Sequence, residues 1–133
     1  DAIRYCYKNG IRFFYAGGAV GFDTIAAEAV LSLKEELTDI VLIIVVPFPG
    51  QDKYFKMENK KRYMNIFNRA DEVVTVSGSF SNIAYLKRND YMISHSCQLI
   101  AYWDGKSLGG TSYTVRKALD KKLPIYNLYK NRL

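Results

Sequence analysis

The stretch IRFFYAGGAVGFDTIAAE, Ile11 to Glu28, changes character twice. Ile11–Tyr15 is a short run of aromatic and β-branched residues around one arginine, the composition of a buried strand. Gly17, Gly18 and Gly21 follow at once, and with them the chain gains the freedom to turn sharply. From Asp23 to Leu37 the residues are alanine-rich and good helix formers. Strand, glycine turn and helix in that order form the opening of an α/β unit.

The rest of the chain repeats that alternation. Upstream, Asp1–Lys8 has helical spacing of Ile3 and Tyr7, and Asn9-Gly10 supplies a stop. Downstream, Asp39–Phe48 is nearly continuous Ile, Val and Leu, which suits a strand buried on both faces of a parallel sheet. Lys53–Arg69 reads as a basic helix, Glu72–Val76 as a strand and Asn82–His95 as a helix. Gln98–Trp103 is the next strand, a helix runs from about Thr111 to Lys121, and Leu123–Leu128 is the last strand. The expected fold is α/β: a Rossmann-like open, mainly parallel sheet with helices on both faces, in one domain over residues 1–133.

Composition narrows the classes. The chain has 133 residues, 49% hydrophobic and 24% charged, which excludes disorder for its body and fits one core. The longest apolar run, Ile40–Phe48, is broken by Pro47 and is too short to span a bilayer. Cys6 and Cys97 make no disulfide framework, so the expected location is cytoplasmic. His95 is the only histidine, so no histidine-based metal cluster is expected, and its place late in a helix suits a C-terminus. Cys97 reads as a buried small hydrophobe and Trp103 as packed on the following loop. The net charge of +6 is uneven, at −2 over residues 1–47 and +8 over residues 48–133. Such asymmetry suits an anionic partner, and equally a solvated lysine-rich face.

Three loops fall where ligands bind in such sheets, between the carboxyl end of a strand and the next helix. In Gly17-Gly18-Ala19-Val20-Gly21-Phe22-Asp23 the backbone can approach a phosphate, while Asp23 suits the N-cap of the helix. Asp104-Gly105-Lys106-Ser107-Leu108-Gly109-Gly110-Thr111 repeats that logic, with a threonine N-cap as its plainer role. In Pro47-Phe48-Pro49-Gly50-Gln51 the prolines stop the long strand, and Phe48 either covers a base or plugs the core. Arg88-Asn89 offers donors for phosphate and sugar, although such a helical pair also suits an ordinary surface.

Together these motifs resemble the YpsA-like family, bacterial proteins long grouped as a domain of unknown function. The residues that carry the likeness are Phe14–Glu28, Val46-Pro47-Phe48, Arg88-Asn89 with Met92, Asp104-Gly105 and Gly109-Gly110-Thr111, within a match over 11–128. That family belongs to the SLOG superfamily of Rossmann-like domains, beside the LOG phosphoribohydrolases and the DNA-processing protein DprA. The resemblance implies that Gly17, Gly18, Ala19, Gly21, Phe22 and Asp23 form one half of a nucleotide or phosphorylated-ligand site. Gly109, Gly110 and Thr111 form the other half, Arg88 stands beside a ribose phosphate, and Glu28, Pro47, Phe48, Asn89 and Asp104 complete the candidate set.

One departure bears on catalysis. LOG enzymes carry a glutamate three residues after the threonine of their glycine motif, and here that position is Thr114. Cleaving an N-glycosidic bond needs a carboxylate, so the expected role is binding or sensing of a nucleotide-derived or phosphoribosyl-type ligand, with a nucleotide or phosphorylated molecule as the bound group. The alternatives are a ribosyl hydrolase using Asp23, Glu28 or Asp104, and single-stranded DNA binding of the DprA kind. A helix before the first readable strand further suggests either an upstream strand of the kind family members possess or pairing with another copy.

Overall fold

The computed structural model describes residues 1–129, so Lys130–Leu133 of the expected domain lie outside the described residues. Ten elements alternate: α1 (Ala2–Lys8), β1 (Phe13–Ala16), α2 (Phe22–Lys34), β2 (Val41–Val46) and α3 (Met57–Arg69). They continue through β3 (Glu72–Thr75), α4 (Asn82–Ser94), β4 (Leu99–Ala101), α5 (Gly110–Asp120) and β5 (Ile125–Asn127). The fold is the expected α/β domain with parallel strands. Among the described residues no helix is long and apolar enough to cross a membrane.

β2 is the centre of the packing. It lies between β1 and β3, parallel to both, with Phe13 opposite Val41 and Ile43 opposite Glu72. Its sequence is aliphatic throughout because both faces are covered; Leu42, Ile44 and Val45 are wholly buried. α2 lays Ala27, Val30 and Leu31 against this sheet, the i, i+3, i+4 spacing of one helix face. Ile3 from α1 and Ile66 from α3 close the same core.

The sheet comes in two pieces. β4 and β5 form a separate parallel pair, with Leu99 opposite Ile125. Among the described residues β1 pairs only with β2 and β4 only with β5, and a cavity of about 1140 Å³ is lined by residues of both β1 and β4.

Several elements are shorter than expected, each for a local reason. The strand expected over Asp39–Phe48 ends at Val46, since Pro47 has no N–H to continue the ladder. The helix expected from Lys53 starts at Met57, because Gly50–Phe55 is spent on turns in which Lys53 N–H donates to the Gly50 carbonyl and Phe55 N–H to that of Asp52. The strand expected over Gln98–Trp103 narrows to Leu99–Ala101, and Tyr102 leaves it to stack on Phe22 at 6.0 Å.

Candidate functional site

The loop after β1 is built around a buried glycine. The Gly17 carbonyl accepts from Arg88 Nη1 at 2.7 Å and from Gln51 Nε2 at 3.2 Å. A β-carbon on Gly17 would lie 2.6 Å from Arg88 Nη1 and 2.9 Å from Asp23 Oδ2, so close approach demands glycine there. Gly18 combines φ +75° with a would-be β-carbon 2.8 Å from Gln51 Nε2.

Asp23 is not the N-cap that the sequence suggests. Gly21 caps α2, turning the chain at φ 103°, and its carbonyl accepts the N–H of Ile25. Asp23 therefore falls in the first turn, where its carboxylate accepts the Ala19 N–H at 3.3 Å and faces back toward Gly17. Burial pushes its carboxyl up, against the opposing pull of Arg88 and the Ala19 amide.

Arg88 and Asn89 are not surface residues; they are 6% and 7% exposed. α4 starts at Ser81, whose hydroxyl accepts the Ala84 N–H at 3.1 Å, and the helix then carries both side chains under the first glycine loop. Arg88 Nε donates to Asn89 Oδ1 at 2.7 Å. Burial lowers the Arg88 pKa from its ordinary value while the nearby Asp23 charge raises it. Arg88 Nη2 and Asn89 Nδ2 have no hydrogen-bond partner among the described residues, yet no buried polar side-chain atom is left unpartnered. Both residues line the large cavity.

The loop after β4 holds itself. Asp104 accepts the N–H groups of Lys106 and Ser107 at 2.8 and 2.7 Å and the Ser107 hydroxyl at 2.6 Å. These bonds hold its carboxyl down at about 2. Gly109, rather than a threonine, caps α5; Ser112 Oγ accepts its N–H and donates to its carbonyl. The Thr114 hydroxyl is spent on the Gly110 carbonyl at 3.0 Å. Trp103 Nε1 donates to the Ser107 carbonyl at 2.8 Å, packing on this loop as expected.

Ala19, Phe22, Asp23, Arg88, Asn89, Gly110 and Thr111 all line the large cavity, whereas the buried Gly17 and Gly18 do not. Asp104 and Gly109 line a smaller neighbouring hollow of about 330 Å³. Gly21, Glu28, Pro47 and Phe48 line neither. Glu28 accepts from Arg62 Nε of α3 at 3.0 Å, and Phe48 is buried edge-on against Phe80 and Tyr85. Cys97 corrects its expectation: it is exposed, because it sits ahead of β4 at the border of the large cavity. Sequence reading missed Gln51 as the second donor to Gly17 and missed the Phe22–Tyr102 ring stack; the only hint was Gln51 ending the proline loop.

Parallel strands joined by helices, with a cavity between two groups of strands and glycine loops leading into helices, define a Rossmann-like α/β domain. The chain belongs to the YspA SLOG family (YpsA), whose family model it matches over residues 1–130. It is 37% identical over 114 residues to the uncharacterized SPbeta prophage-derived protein YoqJ of Bacillus subtilis, a match covering 77% of this chain and 66% of YoqJ. It is 26% identical to a UPF0398 protein of Bacillus velezensis, covering 95% of this chain and 72% of that protein. Against the UPF0398 protein YpsA of Bacillus subtilis it is 27% identical, covering 89% and 69%. The chain thus spans about two-thirds of the length of these curated relatives.

Proposed function

We propose that the protein binds a phosphorylated, nucleotide-derived ligand in the large cavity, between the loop after β1 and the start of α5. The observation that carries this reading is the pair Arg88 and Asn89, buried polar side chains that line that cavity. A guanidinium in low-dielectric surroundings is a strong phosphate partner. The first N–H groups of α5, at Gly110 and Thr111, border the same space and add the positive end of a helix dipole. The Phe22–Tyr102 stack, also on the cavity wall, supplies a flat apolar surface for a base.

Binding is favoured over hydrolysis because Thr114 places a hydroxyl, itself bonded to Gly110, where a LOG enzyme has its acid. Asp23 supports hydrolysis as a second reading. It is the one carboxylate of the three candidates that lines the large cavity, and burial favours its protonated, proton-donating form.

Calorimetric titration with ribose 5-phosphate and with adenosine monophosphate tests the binding reading. Arg88→Ala should weaken either by about 1.5–3 kcal/mol, the range for hydrogen bonds to a charged group. No heat from either ligand, or equal affinity in the variant, overturns it. Free adenine on chromatography after incubation moves the conclusion to hydrolysis.

A further inference from the structure

β2 and β3 run parallel, so the loops that follow them leave the sheet at the same end. The two loops touch there: the buried ring of Phe48 meets Phe80 edge-on at 5.4 Å and Tyr85 at 5.5 Å. Around this contact four large apolar side chains project into solvent. Tyr54, at 89% exposure, and Met57, at 69%, come from the first loop and the start of α3. Phe80, at 67%, and Ile83, at 62%, come from the second loop and the start of α4. Exposed apolar residues are ordinary one at a time, whereas four at one end of a sheet mark an interaction surface. The surface is braced from beneath, since the Phe55 ring packs on Tyr63 at 5.6 Å and Phe48 roots Phe80.

Charge narrows the partner. Lys53, Lys56, Lys60 and Lys61 stand in and after the first loop, and among the described residues none of them is in an ion pair. Against Asp52 and Glu58 these four lysines leave residues 52–61 at +2, and residues 76–82 of the second loop carry no charge. The partner is therefore anionic and takes up apolar side chains.

Three kinds of partner combine those properties. A nucleic-acid strand stacks its bases on a row of ring faces. Here the Phe48, Phe80 and Tyr85 planes stand at 81–84° to one another, and Met57 and Ile83 offer no ring. A protein partner anchors side chains in pockets, and none of the four projecting residues lines either cavity described above. A bilayer needs neither feature. Its headgroups attract lysines, and its acyl boundary takes projecting aromatic and aliphatic side chains without a matching groove.

We propose that the tip formed by the loops after β2 and β3 docks on an anionic membrane surface. Tyr54, Met57, Phe80 and Ile83 enter the headgroup layer, and Lys53 and Lys56 meet the lipid phosphates. None of these six residues lines the large cavity, so the docking stands apart from whatever that cavity binds.

Flotation of the 133-residue chain with phosphatidylcholine vesicles, with and without phosphatidylglycerol, tests the proposal. The chain should float with the anionic vesicles only, and less as salt rises. Lys53→Gln and Lys56→Gln should each weaken partitioning about fivefold, the effect of one basic residue at such a surface. Tyr54→Ser combined with Phe80→Ser should abolish flotation. Because Phe80 packs on Phe48, a second variant, Tyr54→Ser with Met57→Ser, repeats the reading away from that ring cluster, and thermal melts confirm that both fold. No flotation with either vesicle overturns the proposal, as does equal flotation with both. Flotation unchanged in the two apolar variants also overturns it. Binding of a labelled oligothymidylate that is lost in the same variants, with vesicles left unbound, overturns it and assigns the tip to single-stranded nucleic acid.

Discussion

At Gly17 the chain is pressed between Arg88 of α4 and Asp23 of α2, whereas at Gly109 no atom stands within 4 Å of a would-be β-carbon. Glycine is required at the first position by space and at the second by a backbone angle, φ +146°. The loop after β1 takes its shape from side chains far away in sequence. The loop after β4 closes on itself through Asp104 and Ser112. Two loops with the same glycine-rich signature are thus held by opposite means, and only the first depends on the rest of the core.

The largest expected effect follows from that contrast. Gly17→Val must displace Arg88 and Asp23, so it should cost about 1–3 kcal/mol in chemical denaturation, the usual penalty for overpacking. It should also remove ribose 5-phosphate binding through loss of the Arg88 position. Unchanged stability would mean that the first loop yields as easily as the second. Gly109→Ala meets no clash and bears only backbone strain, so its cost should fall near the low end, about 1 kcal/mol. A larger cost at Gly109 than at Gly17 would reverse the comparison.

The smallest effect belongs to Asp104, which is fully exposed. Its folded carboxyl lies at about 2 against an ordinary 3.8, so it binds protons less readily in the folded state. The stability it contributes is present above its ordinary pKa and is lost as pH falls toward the folded value. Thermal melts of Asp104→Asn should therefore lie slightly below those of the unaltered chain at neutral pH and converge with them in strong acid. A gap that persists in acid would show that something other than this charge holds the turn.

How much of this was legible depended on how local its cause is. β2 was plain because six aliphatic residues between a polar turn and Pro47 admit little else. The glycine turns were plain because positive φ leaves its mark in single residues. The burial of Arg88 was not, since it comes from a carbonyl 71 positions away that no helical pattern reveals. Asp23 misled because capping residues and first-turn acids share one composition, and Gly21 had already taken the cap. The division of the sheet was equally hidden: Ile11–Tyr15 and Gln98–Trp103 read as strands whether or not they have neighbours on both sides.

Trp103 is the only tryptophan in the chain, and its indole N–H is tied to the Ser107 carbonyl inside the loop after β4. Red-edge excitation, which passes over the eleven tyrosines, therefore reports on a single turn of the protein. Its emission maximum should follow loosening of the loop in Gly109→Ala and stay still when changes are confined to β1. The molecule thus carries its own optical gauge, and that gauge sits on the self-held loop.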